Sequence, residues 1–181
     1  MVKRVDVYFS LGSNLGDREA NILEAVRRMD EAFGCRHAAL SSLIETEPMG
    51  FSGGPFLNAA VLYRMLTEEM GGGARLRLRR PSRVNASPPP PISSAQHLLS
   101  VVKTIERAMG RTDQPEYDAD GKRVYHSRII DIDILFYGKE RIDCADLQVP
   151  HPLIAERDFV KIPLAEIAKP SLKAAFPELF A

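Results

Sequence analysis

The chain has 181 residues, 45% hydrophobic and 27% charged, the make-up of one globular domain with room for a substantial core. Lys plus Arg and Asp plus Glu both number 24, so no overall field draws it to nucleic acid or a membrane surface. Cys35 and Cys144 stand alone without zinc-site spacing, Met1–Ser10 is too short and polar for a signal peptide, and no apolar run reaches membrane length. A cytoplasmic protein with reduced thiols is the expectation.

Val5 to Leu11 alternates and is rich in β formers, which predicts a first strand punctuated by Gly12-Ser13-Asn14-Leu15-Gly16. Asp17 can cap a helix whose apolar stripe is Ile22, Val26, Met29 and Phe33, ending at Gly34. A second strand-like stretch runs from about Ala39 to Thr46. Pro48, Gly50, Gly53, Gly54 and Pro55 make a loop, and Phe56 to Met65 predicts a third strand.

Residues 71–92 hold three glycines, Arg75, Arg77, Arg79, Arg80, Arg83 and a run of four prolines, with little to bury. That is the composition of a flexible insertion, or of a basic arm for an anion or RNA. Charge runs without a scaffold are usually only solvated. Leu98, Val101, Val102, Ile105 and Met109 form a second helical stripe that stops at Gly110. Arg111 to Ser127 is a polar stretch too long for an ordinary connection, a length found in functional or disordered loops. After the next strand come Gly138, a short hairpin, Val149-Pro150-His151-Pro152 and a helix around Phe159 to Ile167. The order β-α-β-β-α-β predicts an α+β fold related to ferredoxin-like topology. We expect an α/β/α sandwich with a mainly antiparallel sheet and long active-site loops, residues 1–181 forming one domain.

The strand Ile129 to Phe136 is β-branched and apolar except for Asp131 and Asp133. Alternation predicts both carboxylates on one face, about 7 Å apart along the backbone, with Ile130, Ile132, Ile134 and Phe136 on the other. An isolated Asp-x-Asp is more often a solvated strand edge. A hard divalent cation between the carboxylates is the functional alternative, since Mg²⁺ takes one or two carboxylates plus substrate phosphates. Arg111 and Arg128 bracket the long loop in front of this strand, where a guanidinium fork can reach a phosphate.

Four separated pieces resemble the 6-hydroxymethyl-7,8-dihydropterin pyrophosphokinase family of folate biosynthesis. They are Leu11-Gly-Ser-Asn-Leu-Gly16, Phe56-Leu-Asn58-Ala-Ala-Val61, Arg128-Ile-Ile-Asp131-Ile-Asp133-Ile-Leu-Phe136 and Val149-Pro-His151-Pro152. The resemblance covers nearly the whole chain apart from the insertion and the last dozen residues. It implies transfer of the terminal diphosphate of ATP to the pterin hydroxymethyl group, with release of AMP. It further implies that Asp131 and Asp133 hold two Mg²⁺ ions and that Arg111 and Arg128 grip the triphosphate. His151, Arg157, Ile134 and Glu106 fall on the nucleotide side, although a solvated helix carboxylate is nearly as good a reading of Glu106. Thr46, Pro48, Met49, Phe56, Asn58 and Phe159 fall on the pterin side, Asn58 as the mixed donor and acceptor and Phe159 as the stacking ring.

The partners expected are therefore ATP and the pterin, with no nucleic acid, no membrane and a monomeric enzyme. Many members carry Arg-Trp-Gly-Pro-Arg before the aspartate strand. This chain has Arg123-Val-Tyr125-His-Ser-Arg128 and no tryptophan, so Tyr125 is expected to take over part of the stacking. Two other classes fit the residues alone: a nuclease or nucleotidyltransferase built on the Asp-x-Asp pair, and a non-catalytic binding module using the arginine arm. The first requires Asn58 and Phe159 to lie away from the aspartates.

Overall fold

A computed structural model describes residues 2–48, 53–70, 73–77, 95–112, 116–117, 123–124 and 127–180. Strand β1 (Val2–Ser13) sits between β4 (Phe56–Met70) and β8 (Asp131–Tyr137), antiparallel to both. The outer edge of β4 pairs with the short strands β2 (Ala39–Leu40) and β3 (Ile44–Thr46) and with β5 (Gly73–Arg77). The stretch read as one strand from Ala39 to Thr46 is two: Ser41 N–H still donates to Ala60 C=O (2.9 Å), but the return bond from Ala60 N–H goes to the Ser41 hydroxyl (2.9 Å).

The two faces of the sheet are covered separately, giving the α+β sandwich expected from the element order. Val5, Val7, Phe9 and Leu11 of β1 meet Ala59, Val61 and Tyr63 of β4 under helices α1 (Arg18–Phe33) and α2 (Ala95–Ala108). On the opposite face Tyr8, Ala60 and Leu62 pack under α3 (Asp158–Ile167) and α4 (Pro170–Ala175). Period-2 alternation along β1 and β4 produces this division. Among the described residues no helix is long and apolar enough to cross a membrane.

Helix α1 follows its sequence signals. Asp17 Oδ1 accepts from Ala20 N–H (3.0 Å), Ile22, Val26, Met29 and Phe33 are buried, and Gly34 closes the helix at φ 61°. Replacing Asp17 by alanine is expected to cost about 1 kcal/mol of unfolding free energy, the usual cost of losing an N-cap, and denaturant titration checks it. Phe33 and Tyr63 meet edge to face at 4.9 Å, and the Tyr63 hydroxyl donates to Asp30 (2.7 Å), satisfying a buried polar atom in the core.

Two local features add to the sequence reading and one corrects it. Within the region from Gly71 expected to be a flexible insertion, Gly73–Arg77 is β5, paired with Leu66–Met70 of an extended β4. A long neighbouring strand supplies the ladder that Gly/Arg composition does not reveal; residues 78–94 lie outside the described set. The loop from Arg111 to Ser127 contains a small ladder of its own, β6 (Glu116–Tyr117) against β7 (Arg123–Val124). Finally, β8 pairs Phe9 with Ile134 and Tyr8 with Phe136, so Leu135 is an extra residue in a β-bulge. The bulge shifts the phase, and Phe136 packs against Tyr8 under α3 and α4 instead of sharing the Ile134 face.

The rest of β8's environment comes from β9 (Ile142–Cys144) and β10 (Leu147–Val149), a hairpin that ends at the cis peptide before Pro150. His151 N–H then donates to Leu135 C=O (3.0 Å), which lays the Pro-His-Pro segment along the free edge of β8.

Candidate active site

Ahead of the bulge the alternation on β8 holds as read. Ile130, Ile132 and Ile134 enter the core beneath α1 and α2, so Asp131 and Asp133 point to the other face. Their charge environments differ. Burial by itself raises the Asp131 carboxyl, but Arg111 and Arg128, and then Lys103, outweigh it and hold its pKa below the usual range. Arg128 Nη1 donates to Asp131 Oδ2 at 2.8 Å, and Arg111 Nη1 bonds Oδ1. Among the described residues no hydrogen bond or ion pair reaches the Asp133 carboxylate. Burial and the neighbouring Asp131 charge push its pKa up.

A partly buried carboxylate pair with one member lacking an ion-pair partner among the described residues is a donor set suited to a cation. No cluster of three or more His, Cys, Asp or Glu occurs among the described residues. Two carboxylates with room for outside oxygens fit Mg²⁺ bound together with substrate phosphates, and do not make an all-protein cage.

Across the sheet, Gly12 of β1 is the direct partner of both Asp131 on β8 and Asn58 on β4. Asn58, Gly12 and Asp131 thus form one row on three adjacent strands, spanning two strand spacings of about 4.8 Å. Asn58 is buried and its Nδ2 donates to Thr46 Oγ1 on β3 (2.8 Å), which orients the amide. A Cβ placed on Gly12 would lie 3.2 Å from Asn58 Oδ1 and 3.6 Å from the Phe56 ring. The glycine is therefore what keeps the floor between amide and carboxylate flat. Phe159, on the first turn of α3, lies beneath the Arg157 guanidinium, 5.6 Å from its ring centroid.

The model of the 7,8-dihydro-6-hydroxymethylpterin-pyrophosphokinase family matches residues 8–71 and 91–169. The chain belongs to this family. The 2-amino-4-hydroxy-6-hydroxymethyldihydropteridine pyrophosphokinase of Porphyromonas gingivalis is 37% identical over 164 residues, covering 90% of each chain. The Bacillus subtilis protein of the same name is 32% identical over 169 residues, covering 93% of this chain and 81% of its own. The HPPK-DHPS protein of Plasmodium falciparum, solved with pteroate, shares the fold. Its TM-score is 0.59 at 14% identity, covering 99% of this chain and 42% of that one. The family match leaves 72–90 unaligned.

The family's signature positions are not equally placed to meet a ligand. His151 sits beside Leu135, and its Nδ1 accepts from Leu153 N–H (3.2 Å), which leaves the ring proton on Nε2. Burial lowers its pKa, opposed by Asp133 and reinforced by Arg157. A neutral imidazole with a donating Nε2–H suits a phosphate oxygen. Thr46 and Pro48 lie on and just after β3, whereas Met49 and Tyr125 fall outside the described residues.

Two residues expected on the nucleotide side are enclosed in this structure. The Ile134 side chain is buried in the core beneath α1 and α2, away from the carboxylate face. Glu106 is fully buried on α2, where Oε1 accepts from Ile132 N–H (2.7 Å) and pairs with Arg111. Lys103 Nζ lies 3.0 Å from Oε2, an ion pair without the alignment of a hydrogen bond. The burial of Glu106 was readable, because it is four residues after Val102 and eight after Leu98 on the apolar stripe.

Three supports escaped the sequence reading: Lys103, Asn14, and Glu166 of α3. The Glu166 carboxylate accepts from Ser42 N–H (3.0 Å) and Oγ (3.2 Å), fastening α3 to the segment that leads into Thr46. Placing alanine at Gly12 crowds Asn58 and Phe56. A roughly tenfold rise in KM for the pterin is expected, about 1.4 kcal/mol, with the KM for ATP nearly unchanged. Steady-state kinetics with each substrate varied would show it.

Proposed function

We propose that this chain binds ATP through Asp131, Asp133, Arg111, Arg128 and His151, binds the pterin against Asn58 and Phe159, and uses two Mg²⁺ ions. The enzyme is a 2-amino-4-hydroxy-6-hydroxymethyldihydropteridine pyrophosphokinase of folate biosynthesis, with ATP as co-substrate. The row of Asn58, Gly12 and Asp131 on three adjacent strands carries the reading. It puts an amide suited to a pterin edge in line with the carboxylates, as a general two-metal nuclease does not require.

In the reaction the pterin hydroxyl oxygen forms a bond to the β-phosphorus of ATP and gives up its proton to water, the bond from that phosphorus to the α–β bridging oxygen breaks, and AMP leaves. Mg²⁺ held by the two aspartates supplies neutralisation of triphosphate charge and polarisation of the transferred group. The protein's own work is positioning. The Asn58 amide, fixed by Thr46, and the Phe159 ring hold the pterin plane so that its hydroxymethyl arm points along the Gly12 floor toward Asp131. Arg111 and Arg128, which pair with Asp131 in this structure, carry guanidinium forks suited to triphosphate oxygens beside the carboxylates that would hold the cation. His151 Nε2–H adds a neutral donor on the same side.

Purified protein with ATP, Mg²⁺ and 6-hydroxymethyl-7,8-dihydropterin tests this, with AMP and ADP resolved. Pterin-dependent AMP in equal amount to pterin diphosphate is expected. ADP alone, or no turnover by folded protein, refutes it.

A further inference from the structure

Asn14 is a short polar residue in the turn after β1, and a turn alone would account for it. Its surroundings ask for more. It is 7% exposed, and its polar atoms are engaged with two segments that are 73 and more residues apart in sequence. Asn14 N–H donates to Arg128 C=O (3.0 Å) and Asn14 Oδ1 accepts from Arg128 N–H (2.6 Å). Nδ2 donates to Ser127 Oγ (3.1 Å) and to Gly54 C=O (3.2 Å). Oδ1 and Nδ2 thus face opposite tasks. The oxygen secures the backbone of Arg128, whose guanidinium grips Asp131, while the nitrogen reaches over to the segment entering β4 at Phe56 and Asn58.

Among the described residues Arg18 Nη1 also tethers that second segment, donating to Pro55 C=O (2.8 Å). Beyond the β1 ladder that joins Asn58 and Asp131, Asn14 is a side chain that bonds both the segment leading to the aspartates and the segment leading to Asn58.

We infer that Asn14 is a positioning residue that couples the two substrate sites, so that filling the nucleotide site tightens pterin binding through the Arg128–Asn14–Gly54 link. The inference rests on the assignment of the two substrates given above. Physically, a segment ordered by one ligand lowers the ordering cost for the other only if something rigid joins them. A doubly bonded amide with both ends buried is such a joint, and no ligand contact of its own is needed.

Asn14→Asp separates the two ends chemically. The retained oxygen still accepts from Arg128 N–H, whereas the lost N–H donors leave Gly54 C=O and Ser127 Oγ without this partner. Asn14→Ala removes both ends, and Ser127→Ala removes a branch while sparing the link to Gly54.

The test is calorimetric titration of pterin into the protein with and without Mg²⁺ and α,β-methylene-ATP, whose α–β linkage cannot be cleaved. Wild type is expected to bind pterin about tenfold more tightly or better in the presence of the analogue, within the usual range of coupling. In Asn14→Asp and Asn14→Ala the ratio should fall toward one, with each ligand's separate Kd within about threefold of wild type; Ser127→Ala should keep most of the ratio. A ratio preserved in the folded Asn14 variants, with only Tm lowered, overturns the inference, as does a wild type with no coupling. If Asn14→Ala fails to fold, Asn14→Asp and Ser127→Ala still decide. Wild-type turnover is run alongside: coupling absent with turnover intact refutes this inference alone, and turnover absent refutes the substrate assignment too.

Discussion

Asp133→Asn is expected to remove diphosphate transfer almost completely while leaving the fold at least as stable as wild type. Among the described residues no ion pair reaches the partly buried Asp133 carboxylate, and both burial and Asp131 push its pKa up. An acid whose folded pKa is raised binds more protons folded than unfolded. It therefore costs stability as pH rises from the ordinary carboxylate range through its raised value. The amide carries no such cost, so above that window the variant should unfold at equal or higher urea concentration. Activity should fall at least about 10²–10³-fold, the scale for losing one preorganised electrostatic stabiliser. Asp131→Asn should behave differently. Its carboxylate is held below the usual range by Arg111 and Arg128, so its contribution is present above the unfolded pKa and lost as pH falls. Removing that charge leaves two guanidinium groups short of a partner and should lower stability as well as activity. Paired urea titrations and rates at neutral pH distinguish the two. Equal stability losses would show that Asp133 is already compensated.

Glu106→Ala should be the most destabilising single change among the site residues, at about 3–5 kcal/mol, the cost of breaking a buried pair and stranding its partners. The carboxylate meets the Ile132 N–H between the two aspartates, the Arg111 guanidinium and the Lys103 ammonium, all from a fully buried position. For a chain of this size that is a fall in Tm of roughly 6–20 °C. Glu106→Gln keeps an acceptor for Ile132 N–H and should lose less. Because Glu106 is enclosed, the alanine variant's loss of activity should follow from displaced Arg111 and β8. The KM for ATP and the unfolding midpoint should then shift together. A variant with wild-type stability and a raised KM would instead support a direct role of Glu106 toward the nucleotide.

The sequence made β1, α1, α2 and the aspartate strand readable because each carries a complete local signal: alternation, a cap, a stripe, a terminating glycine. Asp131 and Asp133 share a face as alternation requires. What escaped was set by partners distant along the chain. Nothing local marks Leu135 as a bulge, so Phe136 was assigned to the wrong side. Nothing in Gly73–Arg77 announces that β4 continues far enough to pair with it. Arg111 reads as a phosphate grip, and its resting partners Asp131 and Glu106 lie 20 and 5 residues away. Asn14 looks like turn punctuation until Gly54 and Arg128 arrive beside it. Family resemblance gave the residues their neighbourhood, and only the folded chain sorted surface from interior.

The extra residue at Leu135 also makes β8 two inheritable parts. Before it, a substitution is read simultaneously by the carboxylate geometry and by the core beneath α1 and α2. After it, Phe136 and Tyr137 answer to packing alone, on opposite layers. A lineage can therefore drift in the second half, exchanging ring sizes or tuning thermal tolerance, without rotating the acidic pair out of line. Deleting the one surplus residue would rejoin the halves and oblige every later change in the core to be negotiated with the chemistry.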